Sequence, residues 1–300
     1  DLEIVKIRRW KLITSAWICF LMTAGGARAE VPTVILVDKK NNELKVAQYL
    51  EHQYKTVNSY RTTIGLVKGD KEEEGDLKTP EGIYFFNARL VPPAIKPKFG
   101  VMAFYMNYPN EFDRLAGRTG YDIMLHATNE PERLKKDYDS EGCIVVKNEE
   151  LMEIEDHIRL GLTPILVFSE LTSDYLNPKG DSKLVAFFND WLAAWTTKKI
   201  EPYIKAYHSH FKAKGMNRDQ WQKYKNGLNQ KYATIDVKAD GIEYLRHPKY
   251  SVILFAQDYS STFPNGKTAF RSQGTKKLVI AEENGQLKII SETFTPRTWN

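Results

Sequence analysis

The sequence predicts two domains, a mainly-β one followed by an α+β one, and three observations carry that prediction. From Pro32 to about Phe168, β-branched and aromatic residues recur in short runs between turn signals. Around Thr172 to Ser182 the texture changes to Ser, Asp, Asn, Pro and Gly, as a linker requires. Beyond it an apolar face at helical spacing precedes long alternating segments, and helices followed by a long-stranded antiparallel sheet make a separate α+β domain. A hydrophobic content of 42% suffices for a core in each half. No internal repeat or low-complexity tract interrupts either one.

Residues 1–29 lie outside both domains. A basic start (Lys6, Arg8, Arg9, Lys11), an apolar run from Leu12 to Ala24 and the sequence Ala27-Arg28-Ala29 have the layout of a secretory signal peptide, with cleavage expected after Ala29. The apolar run is shorter than the ~20 residues that cross a bilayer, and no later segment could span one, so no membrane span is expected after cleavage. Cleavage takes away five basic residues (Lys6, Arg8, Arg9, Lys11, Arg28) and two acidic ones (Asp1, Glu3), lowering the formal charge from +5 to +2. The basic balance therefore says little about nucleic acid, and no such partner is expected.

In the first domain, residues 30–171, the runs Val34–Asp38, Leu44–Leu50 and Tyr60–Leu66 read as strands. The charged stretch that follows, with Glu72–Glu74 at its tip, reads as a solvated loop. Thr79-Pro80-Glu81-Gly82 is a turn signature leading into the strand Ile83–Phe86. After Tyr108-Pro109-Asn110 comes a short helix to Leu115, a loop holding Gly117 and Gly120, and a brief strand Ile123–Leu125 that ends at His126. Asn148 is positioned to cap a helix carrying Leu151, Ile154 and Ile158, closed near Gly161, and Thr163–Phe168 returns to strand. Past the linker at 172–182, the second domain, residues 183–300, opens with Leu184, Phe187, Phe188, Trp191, Leu192 and Trp195 on one helical face. A second helix is expected over 218–231, and then strands in YSVILFAQDYSSTF, TAFRSQGTKKLVIAEE and QLKIISETF.

The chemistry gathers in HATNEPERLKKDYDSEGCIVV, His126 to Val146. Cys19 leaves with the leader, so Cys143 is the only thiol of the exported chain and cannot pair within it. An unpaired cysteine in an oxidising compartment points to a reactive thiol; the alternative is a buried Cys serving as a small hydrophobe. A thiol near its ordinary pKa is a few per cent thiolate at neutral pH, and a nearby histidine can take its proton. His126 lies seventeen positions upstream across a polar, turn-rich loop, enough chain for a strand end to be met by the returning backbone. Gly142 lets that backbone pass tightly and can leave amide N–H groups aimed at a reacting carbonyl. The other reading of His126 is a satisfied histidine at a strand end.

These residues resemble the YkuD-type L,D-transpeptidases of bacterial cell walls. That signature is a histidine with a small residue after it, then Ser or Thr, His, Gly, Cys, usually with Ile-Arg next. Here it is His126-Ala127, then Ser140-Glu141-Gly142-Cys143-Ile144, with Gly65, Thr79-Pro80, Gly82 and Thr163–Val167 in matching places. The resemblance spans about 140 residues and implies a mixed β-sandwich with short helices. It implies Cys143 as nucleophile, His126 as base, the Ala127 carbonyl fixing the imidazole tautomer, and the amides of Gly142 and Cys143 as the oxyanion site. The implied substrate is the peptidoglycan peptide stem, cut between diaminopimelate and a terminal D-alanine through an acyl-enzyme, in the periplasm. No cofactor and no metal is required by this chemistry. Two positions depart from the pattern: Glu141 stands where a second histidine is usual and Val145 where arginine is usual. Because cross-linking needs a second stem held as acceptor, the altered site favours hydrolysis. Ser140, Glu141, Tyr105 and Arg118 are the expected substrate contacts, with Tyr108 nearby in sequence.

The second domain looks like a nuclear transport factor 2-like domain, helices on a curved antiparallel sheet, from FFNDWLAAWTTKKIEPYIKAYH, FKAKGMNRDQWQKYK and the final strands. The pairing of the two domains is that of L,D-carboxypeptidases that set curved or helical cell shape. This domain is expected to hold a further ligand or protein. Trp191 and Trp195 could line a sugar pocket or pack the core, and His208-Ser209-His210 could bind metal or form a surface turn. The competing functions are a transpeptidase that makes cross-links or attaches a protein or amine acceptor, and an inactive scaffold that binds peptidoglycan.

Overall fold

The computed structural model describes residues 31–176 and 182–297. The expected signal peptide and part of the expected linker, residues 177–181, lie outside the described residues. The N-terminal half forms β1 (Thr33–Asp38), β2 (Glu43–Leu50), β3 (Gln53–Arg61), β4 (Ile64–Gly65), β5 (Gly82–Leu90), β6 (Ala103–Met106), α1 (Glu111–Leu115), β7 (Met124–His126), β8 (Tyr138–Ser140), β9 (Ile144–Val145), α2 (Asn148–Glu155) and β10 (Pro164–Phe168). Eight of these strands make one mixed sheet in the order β3-β2-β1-β10-β5-β6-β7-β9. β1 pairs parallel with β10 from Ile35↔Ile165 to Asp38↔Phe168, and antiparallel with β2.

The continuous apolar runs VILV and PILVF occupy the centre of that sheet, where both faces are covered. Ile35, Val37, Ile165 and Val167 face a core shared with Leu151 and Ile154 of α2. Val34, Leu36, Leu166 and Phe168 face the other way, against Leu245, Val252, Leu254, Val279 and Ile290 of the C-terminal half. The two halves thus share one apolar seam.

The C-terminal half adds α3 (Ser173–Leu176), α4 (Ser182–Thr196), α5 (Ile200–Lys205), β11 (Lys212–Ala213), β12 (Met216–Asn217), α6 (Arg218–Lys231), β13 (Thr234–Arg246), β14 (Ser251–Thr262), β15 (Thr268–Glu283) and β16 (Gln286–Pro296). The last four form an antiparallel sheet in sequence order. Its second face packs on the helices through Phe188, Trp191, Trp195, Tyr203 and Trp221. The α+β architecture is the expected one. Trp191 is 1% exposed and its indole N–H donates to Tyr207 Oη at 3.0 Å, so it packs the core. His208 Nδ1 accepts from the His210 amide at 2.9 Å, the geometry of a turn.

Several element boundaries differ from the sequence reading. The stretch read as one opening helix breaks at Thr197–Lys199 into α4 and α5. β6 and β13 were not expected as strands: β6 is only four residues long, and β13 carries Lys238, Asp240 and Gly241 in its middle. Asn148 is inside α2, with Lys147 as its N-cap; the Asn148 Oδ1 instead accepts from the Val101 amide at 3.0 Å. That helix stops at Glu155, leaving Ile158 beyond it.

A buried carboxylate also lies beside this seam, near Tyr49 and Tyr54. Glu243, 7% exposed on β13, has an Oε2 with no hydrogen-bond partner among the described residues, and burial pushes its carboxyl up to about 8. The folded chain therefore holds a proton there that the unfolded chain releases near its ordinary 4.5. The stability this proton supplies is full below that value and is lost as pH rises through about 8. Thermal melts should show wild type losing about 4 kcal/mol between pH 5 and 9, with Glu243→Gln flattening the loss. Equal pH dependence in the two proteins would contradict this account.

Candidate active site

The cleft is built on the edge of the large sheet, where β7 and β9 run parallel with Leu125 opposite Ile144 and His126 opposite Val145. Side chains alternate across a strand, so Leu125 and Ile144 point into the main core. Met124 packs with Cys143, Ala103 and Ile95 on the opposite side, and His126, two residues on, shares that side. Cys143 and His126 accordingly line one cleft of about 670 Å³, together with Tyr105, Ser140, Glu141, Phe99, Lys98 and Arg133.

His126 is 2% exposed, and its Nδ1 lies 2.6 Å from the Ala127 carbonyl. A carbonyl only accepts, so Nδ1 carries the proton and Nε2 keeps its lone pair. The edge-to-face ring of Phe99, 4.8 Å away, fixes the imidazole from the other side. Burial pulls the imidazole down to about 4; the Ala127 hydrogen bond opposes this, and Arg133 and Lys98 add to it.

The Cys143 thiol, on a residue 9% exposed, donates to the Asp122 carbonyl at 3.6 Å. Burial pushes it up to about 11; a Met124 backbone hydrogen bond and Lys98 oppose the rise, whereas Glu141 and Asp122 add to it. Separating charge between a thiol near 11 and an imidazole near 4 costs on the order of 10 kcal/mol before their attraction is counted. Even at a contact separation of about 4 Å, that attraction would recover only about 4 kcal/mol at an effective dielectric of 20. Both shifts therefore favour a neutral pair, thiol beside neutral imidazole, in the free cleft.

Gly142 precedes the thiol with φ of 123°, a region that excludes L side chains, and a Cβ there would meet Lys78 O at 2.8 Å. Its amide donates to Ser140 Oγ at 3.2 Å, and that hydroxyl donates to the Cys143 carbonyl at 2.6 Å. Ser140 thus holds the Gly142–Cys143 turn, and the Gly142 amide could serve an oxyanion only by sharing its hydrogen. Gly142→Ala should cost about 1–3 kcal/mol of stability and displace the thiol. A variant that melts and alkylates like wild type would contradict this.

Tyr105, Ser140 and Glu141 stand at the cleft, as does His126. Glu141 is exposed, whereas Val145 is fully buried and presents no group to a ligand. Arg118 is not among the cleft-lining residues; its guanidinium pairs with Asp70 at 2.5 Å and Asp113 at 3.2 Å. Tyr108 is likewise withdrawn, donating to the Thr119 carbonyl at 3.0 Å. Sequence reading missed Phe99, Lys98 and Arg133. Arg133 sits in the run ERLKK, where nothing in the pattern separates it from its neighbours. Its guanidinium is held by Asp139, whose Oδ2 and carbonyl accept at 3.1 and 2.7 Å.

In the C-terminal domain a second cavity of about 290 Å³ is lined by Trp195, Trp221, Tyr224, Lys225 and Glu292. The Lys225 ammonium lies 4.1 Å from the Trp195 ring centroid. Among the described residues, no group of three or more His, Cys, Asp or Glu is placed to hold a metal ion.

Comparison with known proteins agrees with this architecture. The model of the L,D-transpeptidase catalytic domain, YkuD, matches residues 32–167, and that of the Cds6 C-terminal NTF2-like domain matches residues 183–293. The structure of Bd1075 from Bdellovibrio bacteriovorus is 32% identical with a TM-score of 0.75, covering 90% of this chain and 94% of that one. The helical cell shape determining protein Pgp2 from Campylobacter jejuni is 23% identical with a TM-score of 0.65, over 87% of this chain and 91% of that one, a likeness of fold. "Putative L,D-transpeptidase YafK" of Escherichia coli (strain K12) is 28% identical over 142 residues, 46% of this chain and 50% of that protein. The chain therefore spans about half the length of the curated relatives it matches.

Proposed function

Since the chain belongs to the YkuD L,D-transpeptidase family, with an NTF2-like domain following the catalytic one, we propose that it is an exported L,D-carboxypeptidase of peptidoglycan. It acts in the periplasm, after loss of the leader, on tetrapeptide stems and shortens them to tripeptides, thereby modifying cell shape. The observation that carries this reading is a neutral thiol sharing one cleft with an imidazole whose tautomer is fixed. Cys143 Sγ attacks the carbonyl at the L-centre of diaminopimelate while His126 Nε2 takes the thiol proton. The imidazolium returns that proton to the leaving amine, D-alanine departs, and a thioester remains. Water then attacks the thioester with His126 as base, and the released thiolate recovers the proton. The Cys143 amide is the foremost donor to the oxyanion, with Gly142 sharing its hydrogen between the oxyanion and Ser140.

Hydrolysis is favoured over cross-linking by what replaces the two usual cations. Glu141 brings a carboxylate to the cleft, suited to the ammonium of diaminopimelate, and the buried Val145 brings nothing to an acceptor's carboxylate. Incubating purified sacculi with wild type and with Cys143→Ala tests the proposal. Conversion of tetrapeptides to tripeptides by wild type alone is expected. Stems cross-linked between diaminopimelates would make the protein a transpeptidase, and identical tetrapeptide fractions would leave only a binding role.

A further inference from the structure

The segment from Leu66 to Glu81 forms one wall of the thiol cleft through Leu66, Lys71, Glu74, Gly75 and Leu77. It contains no helix or strand; backbone bonds from Leu66 N to Ser140 O at 2.8 Å and from Thr119 N to Glu72 O at 3.0 Å tie it to the domain, and side-chain anchors supply the rest. From the N-terminal domain, Lys39 Nζ donates to the carbonyls of Gly69 at 2.5 Å and Thr79 at 2.7 Å and to Glu81 Oε1 at 3.0 Å. The first domain also holds its ends through the Gly65 amide, which donates to Thr79 Oγ1 at 2.9 Å, and a further anchor comes from the other domain. Lys249, in the turn between β13 and β14, donates to Asp70 Oδ2 and to the Glu81 carbonyl, the latter at 3.0 Å. Asp70 in turn accepts from Arg118 and, at 2.6 Å, from the Glu81 amide.

That turn is itself fixed to the first domain. His247 Nε2 donates to the Val167 carbonyl of β10 at 3.0 Å. Tyr250 Oη exchanges hydrogen bonds with the Ile83 amide and carbonyl at 2.6 and 2.7 Å, and its ring stacks on Phe112 at 4.4 Å. At the other end of the chain of contacts, the Lys78 carbonyl closes the space where a Cβ on Gly142 would be. The segment thus packs directly against the residue before Cys143. Lys249, Asp70 and Arg118 have side chains only 22%, 15% and 12% exposed, so solvent screens their attraction weakly.

We propose that the C-terminal domain completes the cleft: Lys249 is a positioning residue that holds the 66–81 wall, and through it the Gly142–Cys143 turn, in the geometry that captures the peptide stem. The idea rests on the assignment of this cleft as the stem-binding site. It gives the second domain a role in the reaction itself, distinct from any ligand its own cavity takes.

The test uses the full chain and compares wild type with Lys249→Met, Lys249→Gln and Lys249→Arg. For Lys249→Met and Lys249→Gln, KM for D-alanine release from a disaccharide tetrapeptide should rise about tenfold with kcat within about threefold. Amide exchange in residues 66–79 should accelerate roughly tenfold while the β1 and β10 amides keep their protection. Lys249→Arg should recover most of both losses, because it restores the charge-assisted bond to Asp70. Added to Lys249→Met, Asp70→Asn should raise KM by less than it does alone, the sign of a coupled pair. Unchanged exchange in 66–79, or exchange raised equally throughout the chain, would overturn the proposal. If wild type releases no D-alanine, the exchange rates and the alkylation rate of Cys143 by iodoacetamide still decide the anchoring: both altered by Lys249→Met supports it, both unaltered overturns it.

Discussion

Cys143→Ala should reduce D-alanine release from tetrapeptide stems about 10⁴-fold or more, to the background of the uncatalysed reaction. The expected effect is this large because, in the proposed mechanism, Cys143 makes the only covalent bond to the substrate. No second thiol lies in the described residues to replace it. The substitution is also mild for folding. Cys143 packs in a small cluster with Ile95, Ala103 and Met124, and alanine keeps the β-carbon, so the loss is about 1 kcal/mol. Activity and stability are thereby separable: the variant should melt close to wild type while release of D-alanine, measured by a coupled oxidase assay, disappears. Residual turnover within tenfold of wild type would assign the chemistry to another group.

His126→Gln should lower kcat about 10²- to 10⁴-fold, the range of a positioned general base. Because burial holds the imidazole down to about 4, turnover by wild type should persist to about pH 5 and fall as His126 protonates below that. The neutral resting pair makes a sharper expectation. With the thiol up at about 11, iodoacetamide should alkylate Cys143 slowly at pH 7 and roughly ten times faster for each pH unit up to about 10. His126→Gln should leave that slope unchanged while turnover collapses. Fast alkylation at pH 6 that vanishes in His126→Gln would instead indicate a preformed thiolate–imidazolium pair. The same depressed imidazole contributes stability above about pH 6.5 that is lost as pH falls towards 4, since only the unfolded chain binds the proton in that window.

Much of this was legible in the sequence wherever one residue type answers one physical demand. The apolar runs at Val34 and Ile165 read as strands, and the helix over 218–231 was expected where Arg218–Lys231 forms. Gly142 before Cys143 signalled a turn where the backbone passes tightly, which its φ of 123° bears out. What was hidden depends on contacts between distant segments. Arg118 lies near the catalytic strand in sequence, yet Asp70 and Asp113 hold it away from the cleft. Asn148 has the chemistry of a cap, but the Val101 amide claims its oxygen. The burial that sets the titration of His126 and Cys143 comes from neighbours such as Phe99 and Ile95, which no local pattern ties to the site.

The covalent intermediate offers the most direct test. Wild-type protein mixed with a disaccharide tetrapeptide, quenched in acid within milliseconds and weighed intact, should gain the mass of the disaccharide tripeptide acyl group on the peptide containing Cys143, in step with the appearance of free D-alanine. Release of D-alanine without any mass gain on Cys143, under conditions where a thioester would survive the quench, would contradict the account.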